Sequence, residues 1–280
     1  MHRMSKESRS SRRRFLQQIG ATAMLAATSP LSSLAAKEKA EERTLFYEKK
    51  ISAADKIRVG VIGYGIQGHI DLQTALKVPG VELAGICDLY TGRLVNAKEL
   101  HGNNLFTTRN YKELLDKPDI DAVIIVTTDC WHARITKDAL AKGKHVYVEK
   151  PMVYKISEGP GIIEAQKKAG KILQVGSQRV SSIALAKAKE LLAAGEIGKL
   201  NMVNAVYDRQ SSIGAWEYTI PKDANAETTD WERFIEVTEK MPYDSKKFFW
   251  WRAFKEVGTG VAGDLFVLLP RRVSCTGTRH

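Results

Sequence analysis

The chain has 280 residues and a formal net charge of +11, of which residues 1–36 carry +5 and residues 270–280 another +3. The remaining +3 is spread over the body without aromatic-interleaved basic patches, which argues against a nucleic-acid footprint. Three cysteines (Cys87, Cys130, Cys275) form no even disulfide framework and have no metal-ligand spacing, and His132 and His145 are too isolated to imply zinc.

In chain order, the first segment reads as an address. Ser11-Arg-Arg-Arg-Phe-Leu-Gln17 is similar to a twin-arginine export motif, followed by a mildly apolar stretch, Ile19 to Leu34, and small residues Ser33 and Ala35 that suit a peptidase. Thr22, Thr28, Ser29, Pro30, Ser32 and Ser33 dilute that stretch below what a bilayer-crossing helix needs, so no stable membrane insertion is expected. The reading is a signal peptide over residues 1–36 and a charged tether over 37–56. The export machinery is then a partner, and the periplasm, or another exported location, is the destination. That route carries folded proteins with cofactor already bound.

Ile57-Arg-Val-Gly-Val-Ile-Gly-Tyr-Gly-Ile-Gln-Gly68 is the most informative run of the chain. Alternating β-branched residues predict a strand, Gly63, Gly65 and Gly68 a tight turn, and the following residues a helix. Gly63 permits the turn, Gly65 lets backbone approach a pyrophosphate, and Gly68 permits close helix–strand packing. Further strands are expected at Val81–Cys87, Leu105–Thr107, Ala122–Thr127, Val146–Glu149 and Ile172–Val175. Helices are expected at Thr91–Leu100, Tyr111–Leu115, Ala133–Ala141 and Glu158–Ala169. Continuous apolar runs such as Ala122–Val126 suit strands buried on both faces. Strict strand–helix alternation predicts an α/β fold, a doubly wound parallel (Rossmann) sheet over residues 57–177. Cys87 and Cys130 then fall near the ends of strands that do not adjoin, as small apolar side chains. Beyond this the character changes. A helix, Ile183–Ala194, ends at Gly195, Leu200–Tyr207 alternates like a half-buried strand, and Trp216 to Phe254 is rich in Trp and Phe. Residues 178–280 are read as an incomplete α+β second domain.

The residues able to carry chemistry gather at the carboxyl ends of these strands. Asp88, twenty residues after Gly68, is placed to accept hydrogen bonds from adenosine ribose hydroxyls and to repel a 2′-phosphate, favouring NAD over NADP. A second role for Asp88 is as N-cap of the helix at Thr91. Arg93 is placed to stack on adenine or hold a phosphate, which leaves NADP open. Glu149-Lys150-Pro151 ends the fifth strand, Thr127, Thr128 and His132 close the fourth, and Gly176-Ser-Gln178-Arg179 closes the sixth. All lie on the edge where open α/β sheets bind ligands.

Taken together, Gly63–Gly68, Cys87-Asp88, Thr127–His132, Glu149-Lys-Pro151 and Gly176–Arg179 resemble the Gfo/Idh/MocA family of NAD(P)-dependent sugar and cyclitol oxidoreductases. The resemblance runs from residue 57 to about 268. It includes the pattern Trp251-Arg252…Gly258-Thr-Gly260…Gly263-Asp264 that many exported members carry. It implies that Lys150 touches the reacting oxygen, that Pro151 is cis, and that Gly63, Gly65, Ile66 and Gln67 meet the cofactor phosphates. By the same resemblance Thr127, Thr128 and His132 line the nicotinamide half, Gln178 and Arg179 lie near nicotinamide and substrate, and Glu149 and Pro151 support the cofactor side. Asp264 becomes a catalytic aspartate, with Trp251 and Arg252 facing substrate. The family's catalytic histidine would fall at 268, where this chain has Leu268. Residues 268–280 resemble no family segment, so a truncated or frameshifted C-terminus is expected. The expected function is hydride transfer between nicotinamide and a small carbohydrate hydroxyl, with homo-oligomerisation when full length. The alternatives are an NAD-dependent glycosidase of the same family and an inactive nucleotide-binding fragment.

Overall fold

In the computed structural model, residues 56–178, 182–204 and 215–267 are described. The leader, most of the tether, Arg179, Ala205–Tyr207, Leu268 and the tail with Cys275 lie outside them.

Six strands form one sheet: β1 Ile57–Ile62, β2 Val81–Cys87, β3 Phe106–Thr108, β4 Ala122–Ile125, β5 His145–Val148 and β6 Leu173–Val175. Their order is β3-β2-β1-β4-β5-β6, and every pairing is parallel. The order reverses between β1 and β4, which leaves a crevice outside their carboxyl ends. The period-two pleat explains why these strands are apolar throughout. Val59, Val61, Ile86 and Ile124 feed one buried cluster with Leu72 and Ala97 from the helices on that side. Ile62, Cys87, Val123 and Ile125 feed the opposite cluster with Leu114 and Ile135.

The helices that position the site are α1 (Ile66–Ala75), α2 (Thr91–His101), α3 (Tyr111–Leu115), α4 (Asp129–Ala141) and α5 (Gly159–Ala169). Asn110 caps α3 by accepting from the Lys112 N–H. α5 carries Pro160 in its first turn and stops at Gly170, whose φ of 61° makes it a left-handed C-cap.

Several boundaries differ from the sequence reading. β3 is displaced by one residue to Phe106–Thr108, β4 stops at Ile125, and β5 starts at His145 and ends before Glu149. α4 begins one turn earlier than expected, at Asp129, so Cys130 and His132 are helical rather than at a strand end. The N-cap of α2 is Tyr90, not Asp88. A sixth helix, α6 (Ile183–Ala193), has no fully buried residue, and residues 200–204 are irregular and exposed rather than a strand.

Residues 215–267 contribute α7 (Trp231–Phe234), α8 (Ser245–Phe249), a 3-10 turn at Trp251–Ala253 and a π-turn at Ala262–Phe266. No second sheet occurs among the described residues. Instead Trp231, Phe234, Ile235, Phe248 and Val257 enter the same buried cluster as Trp131 and Ile135 of α4. Hydrogen bonds fasten this layer down. The Trp131 indole donates to the Phe234 carbonyl at 2.9 Å, and Thr91 N–H donates to the Thr228 carbonyl at 2.9 Å.

Candidate cofactor and substrate site

The glycine turn is sterically specified. Gly63 has φ +94°, and a Cβ there would lie 2.3 Å from the Val126 carbonyl oxygen. At Gly68 a Cβ would lie 2.0 Å from the carbonyl of Gly63, so α1 packs on the turn only without a side chain. Gly65 differs, since a Cβ there would first meet the Arg93 guanidinium, at 3.6 Å. It is the N-cap of α1 and makes no side-chain cap bond. Bare backbone, the unpaired first-turn N–H groups of a ten-residue helix and one cation thus meet at a single mouth. That donor set fits a pyrophosphate.

Asp88 has backbone partners of its own. It is 5% exposed, takes the Tyr64 N–H at 2.7 Å on one oxygen and the Tyr90 N–H at 2.9 Å on the other, and has Arg93 at 3.3 Å. It therefore ties the glycine turn to the end of β2, and it also lines the crevice. Arg93 also lies over the Phe249 ring, 5.6 Å from its centroid.

At the switch point, Thr127 and Thr128 lie between β4 and α4, and both line the crevice. His132 is 1% exposed, and its ring nitrogens approach the carbonyls of Pro151 at 2.7 Å and Thr127 at 3.2 Å. The histidine thus braces the β4 and β5 ends against each other. Glu149 is buried, accepts from Tyr147 Oη at 3.2 Å and from the Lys150 N–H at 3.1 Å, and the Lys150–Pro151 peptide is cis as the resemblance implied.

Lys150 is met by residues more than a hundred positions away. Its Nζ donates to Asp264 Oδ1 at 2.8 Å and to the Asp264 carbonyl at 2.6 Å, and both side chains are 11% exposed. Arg252 Nε donates to the same Oδ1 at 3.1 Å, while its guanidinium stacks on Trp251 at 4.2 Å. Burial pushes the Asp264 carboxyl up, but the charge of Arg252 and the bond and charge of Lys150 outweigh it and hold the pKa below 3.8. A charged carboxylate clamped between two cations is the result.

A cavity of about 300 Å³ joins these parts, lined by Gly65, Asp88 and Arg93 at one end and by Lys150, Arg252 and Asp264 at the other. Gln178 and Trp251 also line it, as do Ile66, Gln67 and Gly68, so the sequence-derived residues within the described set meet at one space with the exception of Pro151, which is not part of its lining. Among the described residues no cluster of three metal-ligating side chains occurs.

Four contributors had no sequence signal. Asp129, 3% exposed, accepts the N–H of Thr259 at 2.8 Å and also bonds its hydroxyl, anchoring the loop that leads to Asp264. Asp71 is raised to about 6 by burial and the charge of Glu149, against the bond from Gln67 at 2.7 Å. Phe249 and Trp216 line the cavity, and Trp216 holds a φ of 65°. Asp129, Asp71 and Phe249 each depend on a partner distant in sequence, which one chain read linearly does not reveal.

Comparison with known proteins agrees with this geometry. Residues 57–177 match the GFO_IDH_MocA model, described as an oxidoreductase family with an NAD-binding Rossmann fold. A scyllo-inositol 2-dehydrogenase (NAD(+)) of Bacillus subtilis is 36% identical over 145 residues, 51% of this chain and 42% of that protein. A glycosyl hydrolase family 109 protein of Shewanella baltica is 32% identical over 179 residues, 57% of this chain and 38% of that one. The matched stretch thus spans less than half the length of either curated relative. The crystal structure of an NAD-binding protein from Listeria innocua aligns with TM-score 0.55 at 22% identity, covering 78% of this chain and 54% of that one, a likeness of fold. The parallel sheet and the glycine turn thus agree with a match, over residues 57–177, to the NAD-binding Rossmann domain of that oxidoreductase family.

Proposed function

We propose that the protein is a nicotinamide-dependent oxidoreductase acting on a hydroxyl of a sugar or cyclitol. The observation that carries the reading is the Lys150–Asp264 pair in the same cavity that the glycine turn lines. NAD, when bound, supplies the hydride acceptor. Gly65, the α1 N-terminus and Arg93 would hold its phosphates, and Asp88 its adenosine ribose.

Lys150 uses two of its three N–H donors on Asp264. The third is available to a substrate oxygen, where a fixed ammonium stabilises the negative charge that develops as the C–H hydride leaves. Asp264 keeps that ammonium charged and aimed. The hydroxyl proton needs a carrier. Leu268 stands where the family resemblance puts a histidine, so Asp264 is the acceptor in contact with Lys150. A carboxylate held below its ordinary pKa is a weak base, and turnover of this chain should be slow. Following NADH absorbance with a panel of cyclitols and sugars tests the reading. Tight NAD binding without substrate-dependent NADH formation would reduce the chain to a nucleotide-binding protein.

The glycosyl hydrolase relative supports a second reading, in which the sugar is oxidised and re-reduced around glycoside cleavage. The two part on stoichiometry, because a glycosidase releases sugar with no net NADH. Export by the twin-arginine route is also proposed, on Ser11–Gln17. Replacing Arg12 and Arg13 by lysine should leave the protein in the cytoplasm, and unchanged periplasmic recovery would reject the leader.

A further inference from the structure

The cavity does not stop at Lys150. Arg252 forms part of its wall and also part of the wall of an adjoining pocket of about 580 Å³, lined by Tyr154, Lys155, Lys255 and the backbone of Gly258 and Gly260. Among the described residues no carboxylate lines this second pocket. The nearby acidic groups are engaged elsewhere. Glu158 accepts the N–H groups of Tyr154 and Lys155 at 2.8 and 3.0 Å, Glu256 faces Lys247 at 3.5 Å, and Asp129 is taken by Thr259.

Around Lys150 the balance is also positive. Among the described residues Asp264 is the single carboxylate shared by Lys150 and Arg252. Glu149, the neighbouring acid, turns its oxygens to Tyr147 and to the Lys150 N–H. Arg252 commits only Nε to Asp264, and its terminal amino groups make no hydrogen bond among the described residues. Stacking on Trp251 fixes the guanidinium plane, so those donors are presented side by side, the geometry that grips an oxyanion in two places.

From this arrangement we infer that the substrate is an anionic saccharide. A carboxylate or acidic ester on the sugar that faces Lys150 is held by Arg252, and a second acidic unit lies in the Lys155–Lys255 pocket. The inference rests on the saccharide reading above and narrows it to one chemical class. The cations of the second pocket are exposed, so their contribution is long-range and salt-sensitive, while Arg252 supplies the directional contact.

The test is calorimetry on the full chain saturated with NADH. The probes are neutral D-glucose and D-galactose, the matching uronates, the 6-sulfates, and a uronate disaccharide. Uronates should bind about tenfold or more tightly than the neutral parents, the gain from one charge-assisted pair. The disaccharide should gain further and lose that gain with added salt. The double variant Lys155→Gln/Lys255→Gln, at exposed positions, should weaken the disaccharide several-fold and leave the single uronate unchanged. Arg252→Gln should weaken both, with NADH affinity retained as the check on folding. Selective binding of the sulfates would assign the anion to an ester rather than a carboxylate. Neutral sugars binding as well as uronates would overturn the inference and leave the oxidoreductase reading standing. No saccharide of either kind binding to an NADH-competent chain would overturn both.

Discussion

Lys150 and Asp264 hold the site together at the level of single residues, and the two substitutions should behave differently. Lys150→Ala removes one preorganised donor and should lower turnover by roughly 10²–10³ with NAD affinity kept. Near-wild-type turnover would take Lys150 out of the mechanism. Asp264→Asn keeps the ammonium but removes both its charged clamp and the proposed proton acceptor, so turnover should fall further than in Lys150→Ala. Because the folded pKa of Asp264 is depressed, its stabilisation is present above about 3.8 and is lost as pH falls through the folded value. Asp71 carries the opposite sign. Its folded pKa is raised to about 6, so its contribution to stability is complete below 3.8 and is lost as pH rises towards 6. Asp71→Asn should therefore raise the melting temperature at pH 7 and leave it nearly unchanged at pH 4. Equal shifts at both pH values would show that Asp71 titrates normally. At Asp88, NAD should bind more tightly than NADP in the native chain, and Asp88→Ala should narrow the gap while loosening the glycine turn it bonds. Equal affinities in the native chain would mean that Arg93 outweighs Asp88.

Among the elements, the glycine turn and the start of α1 are the least tolerant. Gly68→Ala puts a methyl group 2.0 Å from a backbone carbonyl, which cannot rotate away as a side chain can. A cost of about 1–3 kcal/mol and weakened NAD binding are expected, measurable by thermal unfolding with and without NAD. An unshifted melting temperature would mean that α1 moves freely. These elements were legible in the chain because short-range rules specify them: alternation in β1, glycine at fixed offsets, and polar residues between strands. Where the structure departs from local pattern, the cause is a neighbouring element. α4 begins at Asp129 because that side chain is satisfied by Thr259, 130 residues away, a partner that local propensity does not register. Likewise local pattern suits Asp88 as a helix cap, yet it bonds backward to the glycine turn as well as to Tyr90.

For the whole molecule, the layer formed by residues 215–267 is part of the core of the nucleotide domain. A chain ending near residue 178 loses Trp231, Phe234, Ile235, Phe248 and Val257 from the buried cluster around α4. It should unfold at a lower temperature and bind an apolar dye, and a melting temperature equal to the full chain would show the layer to be dispensable. Linear pattern alone determined the parallel sheet and its glycine turn, and it singled out the sheet edge and the Lys150 on which the proposed function rests. Periodicity, turn chemistry and motif spacing are properties of neighbours in sequence. The tertiary structure decided what Lys150 faces, that Arg252 shares Asp264 with it, and that the aromatic segment roofs the crevice. Those outcomes depend on burial and charge balance between groups more than a hundred residues apart, brought together only once the two sides of the core have closed.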